Sequence, residues 1–321
     1  MNGKSLVLGC LAGLAMALAL VRPAAADPPS CRRVTFGQPP WTDIATTDGM
    51  TVTVLDALGY QPEAKTLSVP VIFQALANGQ IDAFLGNWMP AQSHFATPLV
   101  AKKKIDRLGA NLTGAKYTLA VPDYVAAAGV TSIADLQRFA DRFDKRIYGI
   151  EPGAPGNLSI ERMINAGEFG LKGWRLVASS EQGMLAEVAR DVARKRWIVF
   201  LAWEPHPMNV LYHITYLSAG DKYFGPNYGG ATVYTVVRPG LPQACPNLTR
   251  LLGQLRFAVP MENQMMVAVE KGKQTGQQAA VAYLKAHPSV VTPWLEGITT
   301  LSGTPAGPAV AKRLDEGHAP G

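Results

Sequence analysis

The strongest pattern in the chain is a set of short apolar runs, each leading to a tryptophan beside prolines. Ile198-Val199-Phe200-Leu201-Ala202 has the length and β-branched content of a buried strand. It hands over to Trp203, and Pro205 and Pro207 then forbid both continued pairing and an immediate helix. Ile81–Pro90 (I-D-A-F-L-G-N-W-M-P) has the same build, a strand that releases Trp88 ahead of a proline. In Arg33–Asp43 a strand meets a Pro-Pro turn, then Trp41 and Asp43. Open α/β sheets bind ligands beyond the carboxyl ends of their strands. Three indoles delivered there predict a shared pocket.

Helical periods fill the spaces between such runs. Strand Arg32–Phe36 is followed by a helix over Asp43–Leu58 with Gly59 past its end, then strand Glu63–Leu67. Val69-Pro70 opens a helix to Asn78, with proline in the tolerated first turn. The segment from Trp88 to about Ala115 reads as irregular, and Lys116–Val121 as a strand carrying Tyr117. A second alternation has strands at Arg146–Ile150, Arg175–Ala178 and Trp197–Ala202. Its helices lie at Ser132–Phe139, Leu158–Ala166 and Glu181–Ala193. Tyr212–Leu217 and Ala231–Val237 are strands, and Asn247–Leu301 is mainly helical. No internal repeat is visible.

This alternation predicts an α/β fold with mainly parallel, doubly wound sheets flanked by helices. We read it as two lobes: 27–115 together with 208–302, and 116–207, with hinge crossovers near Ala115 and Pro207. The Gly/Pro/Ala-rich stretch 303–321 reads as a frayed tail.

Composition adds a compartment. Lys4, the apolar run Leu6–Val21 and the small residues Ala24-Ala25-Ala26 make 1–26 a secretory leader, so the mature chain starts at Asp27. Most of the apolar run follows Cys10, which argues against a lipid-acceptor role there. Cys31 and Cys245 then remain, and in an oxidising compartment they are expected to pair. Removing Lys4 and Arg22 takes the formal charge from +6 to +4, and the basic residues are scattered. The only dense basic run, Lys102-Lys103-Lys104 with Arg107, reads as a solvated face and not as a nucleic-acid patch. With 48% hydrophobic and 17% charged residues, a sizeable core is within reach.

Trp41, Trp88, Tyr117 and Trp203 stand at strand ends instead of helical core spacings. Aromatic faces are negative and accept no proton, which suits a quaternary ammonium, a cation with no N–H to donate. Asp43 could accept from a ligand hydroxyl or cap its helix. His206 and His213 lack a nameable third ligand, so no metal is expected. No cofactor motif is present either.

Five segments resemble the glycine betaine/choline-binding proteins of bacterial ABC transporters, the choline-specific branch above all. They are Gln38-Pro39-Pro40-Trp41-Thr42-Asp43, Leu85–Pro90, Glu151-Pro152-Gly153, Ala202–Asn209 and Gly225–Thr232. The resemblance spans the mature chain. It implies a periplasmic, monomeric binding protein of type II two-lobed fold that serves an inner-membrane permease. It also implies an aromatic box of Trp41, Trp88, Tyr117 and Trp203, with Asp43 and a loop asparagine on the ligand hydroxyl. Choline binders have asparagine directly after Glu-Pro-Gly. Ala154 stands there in this chain, and Asn157 matches a later loop position. Either Asn157 or a backbone amide takes over that contact, or the preferred ligand is glycine betaine or another methylated amine.

Two other classes compete. An exported enzyme on choline esters would need a nucleophile and base, and neither G-x-S-x-G nor H-E-x-x-H occurs. An exported sensor would share the ligand and differ in its partner.

Overall fold

The computed structural model describes residues 26–316. Leader residues 1–25, Cys10 among them, and the last five residues lie outside them.

Nine strands form one hydrogen-bonded sheet. They are β1 (Arg33–Gln38), β2 (Gln61–Thr66), β3 (Ala83–Met89), β4 (Asp106–Pro122), β5 (Arg146–Tyr148), β6 (Arg175–Val177), β7 (Phe200–Glu204), β8 (Ile214–Tyr216) and β9 (Gly230–Val237). Their order is β2-β1-β3-β9-β4-β7-β5-β6, with β8 also on β4. Two parallel groups, β2-β1-β3 and β7-β5-β6, flank an antiparallel centre in which β4 pairs with both β9 and β7. The register of β4 on β9 shifts three times, near Arg107/Gly109, Ala110/Leu112 and Leu112/Ala115. Extra residues of this kind bend a strand and increase its twist.

The long strand corrects one expectation. The segment after Trp88 is regular: a helix, Ser93–Ala101, and then the first half of β4. The expected crossover at Ala115 falls inside this strand, which runs unbroken from one half of the sheet into the other. The bulges explain the miss, because each one resets the period-2 alternation a strand is recognised by.

The C-terminal expectations change as well. Ala306–Glu316 is a helix with Ala306, Val310 and Leu314 buried, spaced four apart on one face, so 303–316 is no frayed tail. The last helix expected there, Val290–Leu301, is instead a 3-10 helix over Pro288–Leu295 with Pro293 inside it.

The helix Thr42–Ala57 is buried nearly all round, including Thr46, Thr47, Asp48, Thr51 and Thr53. Its threonines satisfy their hydroxyls on carbonyls of the preceding turn: Thr46 on Asp43 (2.7 Å), Thr51 on Thr47 (2.9 Å) and Thr53 on Gly49 (2.7 Å). It crosses the helix Gly276–Ala286 so closely that a Cβ on Gly276 would lie 2.3 Å from the Ala45 carbonyl oxygen. That close seat fixes the turn carrying Trp41 and Asp43. Cys31 and Cys245 form a disulfide. Asp27 is buried and accepts from the amides of Asn247 and Leu248, at the start of the helix Pro246–Gln254. None of the described helices is long and apolar enough to cross a membrane.

Candidate ligand-binding site

The three tryptophan–proline junctions converge. Trp41 ends the loop after β1 and stands as the N-cap of Thr42–Ala57. Trp88 lies near the end of β3, Tyr117 on β4 and Trp203 on β7. Tyr117 and Trp203 are direct cross-strand partners, with ring centroids 6.3 Å apart. Trp88 meets Tyr117 at 5.9 Å. The X-Pro bonds Met89–Pro90 and Glu204–Pro205 are cis.

All four rings line one narrow pocket together with Asp43. Ala91, Gln92, Ile150 and Pro155 complete it. The sequence reading missed these four, and nothing in their residue types marks them. Gln92 is spent internally, donating to the Gly86 carbonyl at 2.8 Å and facing Asn87 at 3.3 Å. The rings are braced by polar partners outside the pocket. Trp41 Nε1 donates to Glu151 Oε1 at 2.9 Å, and the Gly156 amide donates to the Tyr117 hydroxyl at 3.1 Å. A Cβ on Gly156 would sit 2.5 Å from that oxygen, so glycine is what lets the tyrosine approach.

Two polar groups of the box escape this saturation, the Trp88 indole N–H and Asp43. The Asp43 Oδ1 is buried and, like Trp88 Nε1, completes no hydrogen bond within the protein. Burial pushes its carboxyl up to about 7, and the Glu181 charge adds to the rise. Amides of its own helix turn and the Trp88 indole N–H oppose it. Burial likewise raises Glu151, and raises Asp48 and Glu262 well above their ordinary values, the charge of Asp43 adding to the last two. Among the described residues no lysine or arginine forms an ion pair with Asp43, Glu151, Glu181 or Glu262. The site is an apolar box set in uncompensated acid.

Asn157 stands elsewhere. It does not line the pocket, and its side chain is turned onto its own loop. Nδ2 donates to the carbonyls of Ile150 (2.8 Å) and Glu151 (3.0 Å), while Oδ1 accepts from the Ile150 amide at 3.1 Å. Ala154 is buried at the N-cap of the helix Pro155–Ala166. The ligand-contact expectation for Asn157 therefore gives way to a loop-bracing role.

Glu181, His206 and Glu270 place ligand atoms within 4.8 Å of one another. The Met208 amide donates to His206 Nδ1 at 3.0 Å, which puts the ring proton on Nε2. That nitrogen lies 3.1 Å from Glu270 and 3.4 Å from Glu181. It is a donor to carboxylates and has no lone pair to give a metal.

Rings from distant strands, gathered round one buried carboxylate, define a binding protein for a small ligand. The comparisons with known proteins carry this further. Residues 32–286 match the substrate-binding domain of ABC-type glycine betaine transport systems. The chain belongs to that family of transport substrate-binding proteins, two-lobed in fold and not enzymes. An ABC-transporter choline-binding protein in complex with choline is 46% identical, with TM-score 0.88 over 90% of this chain and 100% of the other. The unliganded semi-closed form of an ABC-transporter choline-binding protein gives 47% identity and TM-score 0.81, over 89% and 99%. Lactococcal OpuAC, closed on glycine betaine, gives 28% and 0.74, over 82% and 99%.

Proposed function

We propose that this protein captures a quaternary ammonium cation, choline foremost, and presents it to an inner-membrane ABC permease. The four rings surround the methylated head, and Asp43 accepts from the hydroxyl. Cation–π contacts are worth ~2 kcal/mol or more each when desolvated, so four faces supply several kcal/mol. A leader at 1–26 would deliver the mature chain to the periplasm, where it works as a monomer. Its lobes, 27–115 with 208–302 against 116–207, close over the ligand.

One observation carries the choice of ligand: the unspent polar atoms of the box are one donor, the Trp88 indole N–H, and one acceptor, a carboxylate oxygen of Asp43, amid further acids. A hydroxyl can donate to it. The carboxylate of glycine betaine would be repelled by it where Asp43 is ionised, while the Trp88 N–H, the family description and the similarity to a glycine betaine complex keep that ligand as the second reading. The test is a titration of the mature protein with choline, acetylcholine, glycine betaine, carnitine and trimethylamine oxide, followed by tryptophan fluorescence. Choline and its ester binding ahead of the zwitterions supports the reading, and glycine betaine binding first overturns it.

A further inference from the structure

Glu181 is fully buried, yet it is remote from the pocket in sequence and does not line it. It opens the helix Glu181–Ala193 after β6, while Thr42 opens its helix after β1. β1 and β6 lie toward opposite ends of the sheet order. Across that gap the Thr42 amide donates to Glu181 Oε2 at 3.2 Å, and the Thr42 hydroxyl donates to Oε1 at 2.5 Å. Trp41, the N-cap residue, contributes no side-chain cap, so a carboxylate from the far end of the sheet does the capping. The same Oε1 faces His206 Nε2 at 3.4 Å, three residues beyond Trp203, and His206 reaches on to Glu270. Thr42 lies between two pocket residues, Trp41 and Asp43. One carboxylate thus ties the turn holding half the site to the turn that follows the other half.

Such a contact forms only when the two ends of the curled sheet are together. This structure overlays on the choline-bound relative at TM-score 0.88 and on the unliganded one at 0.81. We propose that Glu181 is a positioning residue for ligand capture: it clasps the Trp41–Asp43 turn to the opposite half of the closed protein and sets how long the ligand is held. The residence time rests on the reading above that the box takes a methylated ammonium, whereas the clasp itself does not. Because the clasp stabilises the closed state alone, it slows release and leaves encounter unaffected.

The test uses the full mature chain and choline as probe, with stopped-flow tryptophan fluorescence. Glu181→Gln keeps the size but weakens a charge-assisted bond, so choline should leave about tenfold to a hundredfold faster. Association should stay within about twofold. Thr42→Val should also speed release, and the double variant should add less than the two singles together. It also stands in should Glu181→Gln fail to fold. In parallel, dyes at cysteines replacing the exposed Glu63 and Lys172 report opening without any ligand, and Glu181→Gln should shift unliganded molecules toward the open distance. Unchanged release together with an unchanged distance distribution overturns the clasp. Wild-type protein that ignores choline and binds glycine betaine overturns the ligand reading instead, and the same release experiment is then run with glycine betaine.

Discussion

The turn Trp41–Asp43 and the loop Glu151–Asn157 both follow strands of the sheet, both carry a buried polar residue, and they face each other across the pocket. Their hydrogen-bond accounts differ. Asn157 makes three bonds to its own loop and has little left for a ligand. Asp43 keeps one oxygen unpaired in a buried, acid-rich setting. A buried acceptor without a donor costs about 1–3 kcal/mol. Glu151 Oε2 and Trp88 Nε1 are unpaired too, but of the three residues only Asp43 and Trp88 line the pocket, where an arriving ligand can meet them. We assign ligand reading to the first turn, while the second holds Tyr117 through the Gly156 amide.

Removing the walls should have the largest effect. Trp88→Ala or Trp203→Ala should weaken choline binding by about a hundredfold or more, since each deletes a desolvated ring face and opens the box to water. Calorimetric titration reads this, with circular dichroism confirming the retained fold. The comparison itself is sharpened by a pair of substitutions. Asp43→Asn should cost about tenfold to thirtyfold in choline affinity with no loss of thermal stability, since it removes a buried unpaired charge. Asn157→Ala should behave oppositely and lower stability by about 2–3 kcal/mol as the Ile150 and Glu151 backbone groups lose their partners. Thermal unfolding and titration on both variants decide whether the two roles are as distinct as their bonding.

Acidity probes the same contrast. The Asp43 carboxyl ionises near 7 in the folded protein, above the ordinary aspartate value, with Asp48, Glu181, Glu262 and Tyr117 as its ionisable neighbours. A raised value means the fold favours the neutral form. Its contribution to stability is therefore present at acid pH and is lost as pH climbs from about 4 toward 7. The cationic ligand favours the ionised form, so binding releases a proton below 7. Choline affinity should rise by up to about tenfold per pH unit below 7 and level off above it. Titrations across this range in Asp43→Asn should show that slope removed. The smallest effect expected is for Ala154→Asn, which adds an amide beside Pro155 at the pocket edge and should shift the choline-to-betaine ratio by about threefold toward choline.

Much of this site was legible in the chain. Apolar runs ending in Trp and Pro placed Trp41, Trp88 and Trp203 at strand ends, and Tyr117 followed from the apolar run Lys116–Val121, the second half of β4. Those are local signals, and local signals survive into the fold. The first half of β4 was hidden by its bulges, and the helix Ala306–Glu316 by a composition that masks its four-residue spacing. The role of Asn157 could not be read, because a side chain's bonding partners are settled only when its loop closes. Glu181 illustrates the harder case. It meets Thr42 across 139 positions, and no periodicity carries that distance.

The central claim is that the box recognises positive charge on a methylated head. Calorimetric titration with choline and with dimethylbutanol, its uncharged isostere carrying a tert-butyl group, tests it most directly. Shape and hydroxyl are shared, so the account predicts that the alcohol binds at least about thirtyfold more weakly. Equal affinity for the two would contradict it.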